Sequence, residues 1–156
     1  MTDFRKKIHD EIINDLKLLT HNSSSNLLFA DVKKIFVDYP NQTPVCEVTP
    51  STTEIFKIDT NQDARVYVFD LIVYDLLAEQ AGETELNKRI DRLQKIEDRL
   101  LDYIEKLPND LEGAITGIKI YTVEPNNNQY LYEQSEQGIK LYLTMQIKVY
   151  VLTSVR

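Results

Sequence analysis

Asp59, Asn61 and Asp63 stand at the first three ligand spacings of a calcium loop. Such a loop needs a glycine for its sharp turn at position six and a bidentate glutamate at position twelve. Here those positions hold Ala64 and Asp70, and strand-like runs flank them, so the triplet is expected to be a polar hairpin turn. Cys46 is the single thiol. A nucleophilic thiolate needs a base beside it, and both imidazoles, His9 and His21, lie in the N-terminal segment. Cys46 sits in a strand-like run between two prolines and is expected to be a buried structural thiol. His9 borders an apolar stripe and reads as a partly exposed helix residue. Asp110 and Glu112 have the residue types of an acid–base pair, but they follow a long helix in what reads as a solvated loop. The four glycines, Gly82, Gly113, Gly117 and Gly138, form neither a phosphate loop nor a dinucleotide fingerprint. Gly113 and Gly117 read as a turn or close packing at a strand start. No G-x-S-x-G elbow is present. The expectation is a protein without catalytic activity, without a cofactor and without a metal.

Composition narrows the partners. The 156 residues carry 18 basic and 25 acidic side chains, a net charge of -7. A coat for nucleic acid needs a basic surface to meet phosphates, and so does a binder of anionic membranes. Nine tyrosines without a tryptophan could stack on bases, yet the acidic balance favours a tyrosine-rich core and interface. No apolar run approaches the roughly 20 residues that cross a bilayer. The N-terminus has no apolar run behind its early lysines, and one cysteine excludes an internal disulfide framework. These features fit a chain made and used in a cytoplasm. Its length fits one domain, residues 1–156, large enough for a real core.

Periodicity supplies the elements that must position these residues. Phe4, Ile8, Ile12, Leu16 and Leu19 draw one stripe of a helix over residues 3–20, with Thr2 or Asp3 as its cap. Short strands are expected at 33–38, 45–49 and 54–58, the second bracketed by Pro44 and Pro50. A longer strand at 65–75 turns Tyr67, Phe69, Leu71 and Val73 to one side. Val66, Val68, Ile72 and Tyr74 make the other side largely apolar, which suits a central strand. Leu86, Ile90, Leu93, Leu100, Ile104 and Leu107 predict a helix over 83–107, with Glu97 in a slot of its stripe and Pro108 as its stop. Lys88, Arg89, Arg92, Asp98, Arg99 and Asp102 read as its solvated or partner-facing back.

Two strands close the chain, 115–124 and 139–153. The second alternates cleanly, with Leu141, Leu143, Met145, Ile147, Val149 and Val151 on one side. Its 15 residues would span roughly 50 Å, more than the ~35–40 Å expected across a compact domain of this length. Part of the hairpin is therefore expected to reach beyond the body. Residues 125–138 form its arm or loop, and Asn126, Asn127, Asn128, Tyr130, Tyr132, Glu133 and Glu136 are the candidate interface. Tyrosine buries a large area while keeping a polar tip, which favours it at interfaces. The expected fold class is α+β. An N-terminal helix and a long helix pack on one face of a mainly antiparallel, mixed sheet that carries an extended β-hairpin.

The order helix, four strands, long helix, two strands accompanies three stretches, YPNQTPVCEVTP, RVYVFDLIVYD and GIKLYLTMQIKVYVLT. In this order and strand texture the chain resembles the bacteriophage tail terminator, or tail-completion, family over nearly its whole length. The resemblance implies a structural virion protein, assembled in the host cytoplasm and placed at the head–tail junction. Such proteins form rings of their own copies, usually hexamers, that cap the tail tube and join it to the head connector. The implied partners are thus the chain itself, the tail tube protein and the connector proteins. DNA would pass through the lumen without specific binding, which an acidic subunit assists by repelling phosphates. The segment 125–138 departs from the shorter members. Two other readings stay open: another phage neck or baseplate adaptor, and a small α+β enzyme or ligand-binding domain.

Overall fold

A computed structural model describes residues 3–36, 42–77, 82–135 and 138–153. The chain order is α1 (Arg5–Leu18), β1 (Asp31–Lys33), β2 (Val45–Lys57), β3 (Asp63–Leu77), α2 (Glu83–Ala114), β4 (Ile120–Ser135) and β5 (Gly138–Leu152). The strands make one sheet in the order β1-β2-β3-β5-β4. Among the described residues only the β1–β2 pair is parallel, so the sheet is mixed and mainly antiparallel. Both helices lie on one face, where Ile8, Ile12, Leu16, Leu93, Ile96, Leu100 and Leu107 share a core with Phe69, Leu71, Leu143 and Ile147. The expected α+β layering is what the chain adopts.

Several element boundaries differ from expectation. Pro108 lies inside α2, which continues to Ala114. A proline in a helix interior removes one ladder hydrogen bond, at a cost of about 3 kcal/mol. Leu111 and Ile115 continue the stripe and are both buried, and each such side chain returns about 1.5–3 kcal/mol. Burial therefore carries the helix through the proline. Asp110 and Glu112 consequently belong to α2 and not to a loop, and Glu112 Oε1 accepts a 2.8 Å hydrogen bond from the backbone N–H of Ile120. The runs 45–49 and 54–58 are two parts of β2, joined through a bulge between Pro50 and Thr53. β1 lies at Asp31–Lys33, earlier than the expected 33–38; residues 37–38 fall outside the described ones. Phe4, and not Thr2 or Asp3, occupies the cap position of α1 and makes no side-chain cap hydrogen bond, although Asp3 Oδ1 accepts the Arg5 N–H at 2.9 Å just ahead of it; Thr2 lies outside the described residues.

The hairpin does not reach past the body. β3 pairs with β5 along its whole length, from Ala64 opposite Leu152 to Leu77 opposite Ile139. At ~3.3 Å per residue, 15-residue strands make a sheet roughly 50 Å long, and the 32-residue α2 matches it at ~48 Å. The body is elongated, so the scaling for a compact domain underestimates it. The strand start expected at 115 is also displaced: Ile115 and Ile118 are buried in the core ahead of β4, and Gly117 takes φ 84° in the connection.

No described element covers the second face of the sheet. Val66 and Val68 point there and are nonetheless buried, although they stand outside the helix-side core. Side chains of the same face hide them. Phe56 of β2, Tyr150 of β5 and Tyr121 of β4 form an aromatic cluster with ring centroids 5.5 and 6.5 Å apart, bridging two intervening strands. A second group, Phe36, Tyr74 and Tyr142, covers the other end. Two-sided burial of β3 thus comes from helices on one side and aromatic rings on the other.

Candidate functional site

Six of the seven expected interface residues lie on β4, and their surroundings separate them into two groups; Glu136 lies outside the described residues. Asn126 and Asn127 sit at a bulge where the register with β5 shifts between Asn126 and Gln129. Asn127 takes φ 54°, a left-handed conformation that asparagine tolerates better than most residues. Both asparagine amides donate to Gln146 Oε1, at 3.5 and 3.2 Å, and Gln146 Nε2 in turn donates to Asp70 Oδ1 at 3.0 Å. The asparagines are thereby tied to the sheet.

Asn128 and Tyr130 face α2. Asn128 Nδ2 donates to Glu97 Oε2 at 3.1 Å, and the Tyr130 hydroxyl donates to Glu97 Oε1 at 2.8 Å. Desolvation, the hydrogen bond to Glu97 and that residue's charge all push the Tyr130 hydroxyl up. The glutamate in a slot of the α2 stripe is therefore a polar clip between helix and edge strand. The sequence shows the break in the stripe; the partner from β4 becomes visible only in the fold. Glu133 Oε2 accepts a 2.9 Å hydrogen bond from the Tyr142 hydroxyl, which desolvation and that carboxylate push up to about 12. Tyr132 is 72% exposed, and its neighbour Leu131 is half exposed. The segment 125–138 is thus neither loop nor free arm: its described part is an edge strand paired to β5.

The charged back of α2 is not uniformly solvated. Asp75, fully buried at the end of β3, receives Arg92 Nε at 2.9 Å, Arg89 Nη1 at 3.1 Å and Thr43 Oγ1 at 3.0 Å. Arg99 Nε donates to the Thr20 carbonyl at 2.8 Å. These contacts fix α2 to the sheet and to the segment after α1. His9, expected to be partly exposed, is buried, with Nε2 2.6 Å from the Val48 carbonyl and its ring against Phe69. The carbonyl can only accept, so Nε2 carries the proton there. Cys46 is fully buried in β2, and desolvation pushes its thiol up, the opposite of an activated nucleophile. The Asp59–Asp63 segment is the β2–β3 turn, in which Asp59 Oδ1 accepts the Asn61 N–H at 2.7 Å and the Ile58 N–H donates to the Gln62 carbonyl.

What this arrangement offers is contact. Nine large apolar side chains are exposed among the described residues, and six of them, Ile55, Phe56, Tyr121, Tyr130, Leu131 and Tyr132, lie on β2 or β4. Comparison with known proteins finds no matching family model and no significantly matching curated protein.

Proposed function

We propose that the protein is a structural component of a phage virion, a ring-forming subunit that caps the tail tube and joins it to the head connector. The observation that carries this reading is the exposed apolar edge of β4, with Tyr130, Leu131 and Tyr132 along one strand of an elongated, two-layer body. Exposed, contiguous apolar side chains on a sheet edge are a hazard for a free monomer and an asset for an assembling subunit. Glu97 clips this edge to α2 and Asp75 clips β3 to the same helix, a rigid arrangement that suits a subunit of a fixed-geometry ring. The ring is a homo-oligomer, hexameric by the resemblance, with DNA passing through a lumen to which it does not bind specifically. Its role is mechanical and calls for no catalytic group.

Depletion of the protein during phage growth tests the reading. Full heads and separate, unjoined tails should accumulate, and added pure protein should restore joining. Electron micrographs of labelled particles should then place the label at the head–tail junction. Complete, infectious particles assembled without the protein would overturn the proposal.

A further inference from the structure

We infer that the cleft between α2 and the turn after α1 binds a compact phosphate dianion, free or as the monoester of a small molecule, gripped by Arg92, Lys95 and Arg99. The inference goes beyond the structural role proposed above and does not depend on it. The cleft has a volume of about 710 Å³, within the ~300–1,000 Å³ of small-molecule sites. Its floor is one side of α2, where Lys88, Arg92, Lys95 and Arg99 follow one another at steps of four, three and four residues. His21 and Asn22 form its wall. That wall is a hydrogen-bonded turn: Thr20 pairs with Leu27, the His21 N–H donates to the Asn26 carbonyl at 3.0 Å, and the Ser24 N–H donates to the His21 carbonyl at 3.2 Å.

Both arginines of the floor are anchored with donors to spare. Arg92 directs Nε and Nη2 to the buried Asp75 carboxylate, and Arg99 donates Nε to the Thr20 carbonyl at 2.8 Å. Nη1 of Arg92 and both Nη atoms of Arg99 have no partner among the described residues. An anchored guanidinium has already lost much of its rotamer freedom, so its remaining N–H groups bind an oxyanion at a lower entropic cost. Lys95 lies between the two, exposed and without an ion-pair or hydrogen-bond partner among the described residues.

Charge and donor count set the class of ligand. Glu85 answers Lys88 at 3.6 Å, and the single Asp75 faces both Arg89 and Arg92. Asp91 and Asp98 share the lining with Lys95 and Arg99 but form no ion pair with a described cation. The cleft keeps a small positive excess on a chain of net charge -7. A polyanion laid along α2 would meet Asp91 before Lys95 and Asp98 after it. A compact anion carries its charge in one place and needs only the donors between them. Three cationic side chains also offer more N–H groups than the two oxygens of a carboxylate accept, whereas a phosphate monoester presents three charged acceptor oxygens.

Calorimetric titration of the full chain tests the site, at constant ionic strength and near pH 8, about two units above the second ionisation of a phosphate ester. The probes are inorganic phosphate, glycerol phosphate, acetate and a DNA oligonucleotide without terminal phosphates. The two phosphate dianions should saturate one site per chain, the tighter of them showing whether the free ion or the ester is the better fit. Acetate and the oligonucleotide should bind at least about tenfold more weakly. Lys95→Glu should keep the circular dichroism of the wild type and weaken phosphate binding about tenfold or more, as the loss of a charge-assisted hydrogen bond does. Asp98→Asn should tighten binding, which a merely structural role for this face would not produce. Unchanged affinity in Lys95→Glu, or oligonucleotide binding as tight as that of phosphate, would overturn the assignment. So would a wild type with no saturable binding up to ~10 mM phosphate, and none of these results would touch the ring reading.

Discussion

Replacing Asp75 by alanine should remove about 3 kcal/mol of stability. The carboxylate is fully buried and receives hydrogen bonds from Arg92, Arg89 and Thr43. Deleting one member of a buried ion pair costs ~3–5 kcal/mol, because the remaining charge is stranded. Here the stranded groups are guanidinium heads whose side chains keep 28% and 32% of their exposure. They can turn partly to water, which places the loss at the low end of that range. For a domain of this size each kcal/mol moves the melting temperature by about 2–4 °C, so a fall of roughly 6–12 °C is expected. Urea unfolding at one fixed protein concentration, followed by circular dichroism, measures the change, and the denaturant slope should stay constant. A companion pair, Asp75→Met with Arg92→Met, exchanges charge for packing. It should recover part of the loss, since well-packed apolar replacements of buried pairs are often neutral. A loss below ~0.5 kcal/mol for Asp75→Ala, the range of ordinary surface substitutions, would refute the view that this cluster anchors α2.

Leu93→Ala and Leu100→Ala should each cost about 2–5 kcal/mol in the same assay, as both side chains are buried against the sheet; changes under ~0.5 kcal/mol at both would mean that the stripe is not packed. Glu11→Gln should stabilise the protein at neutral pH. Burial, and then the negative charge of Asp15, hold the Glu11 carboxyl above the usual glutamate range. A raised carboxyl pKa means that the ionised form is penalised in the fold above that pKa, and that the penalty vanishes below the unfolded value. The gain in melting temperature should therefore be present at pH 7 and absent near pH 3, and a gain independent of pH would contradict the electrostatic cause. Cys46 should resist thiol reagents in the folded protein and react on unfolding, because it is buried and its thiolate is disfavoured; rapid labelling under native conditions would show that β2 opens.

The parts of the fold that periodicity reveals are those where one physical term dominates. Alternation along β5 and the stripes of both helices report burial directly, and each was legible because every second, third or fourth residue repeats the same choice. Boundaries were less legible, because there two terms compete. Pro108 opposes the helix locally, and Leu111 and Ile115 outweigh it through contacts with distant strands. The break at Pro50 looks like a strand end in one dimension, whereas a bulge lets β2 continue beside β3. The polar stretch around Asn126 composes like a loop, yet pairing with β5 and the Glu97 clip make it a strand. The candidate interface rests on tyrosine content alone, because the strand-length argument fails in an elongated body. Its partners within the chain, Glu97 and Gln146, depended on tertiary placement that no local pattern carries.

Buried and half-buried polar groups make the packing of this body exacting. His9 ties α1 to β2, and Arg99 ties α2 to the segment after α1. Along α2, Asp75 holds the N-terminal third, Glu97 the middle and Glu112 the last turn, each to a different part of the sheet. An apolar interface alone would let a 32-residue helix slide by a turn with little change in buried area. The fully buried Asp75 removes that freedom, because a shift of one turn, 5.4 Å, would strand its carboxylate away from Arg89 and Arg92. Among the described residues no buried side-chain polar atom lacks a partner, so the register is satisfied throughout. In the proposed ring, errors in subunit angle would accumulate with every copy until closure fails. Helix clips that hold one five-stranded sheet in one shape keep its two edges at a constant relative angle, which is the property that closure of the proposed ring would demand.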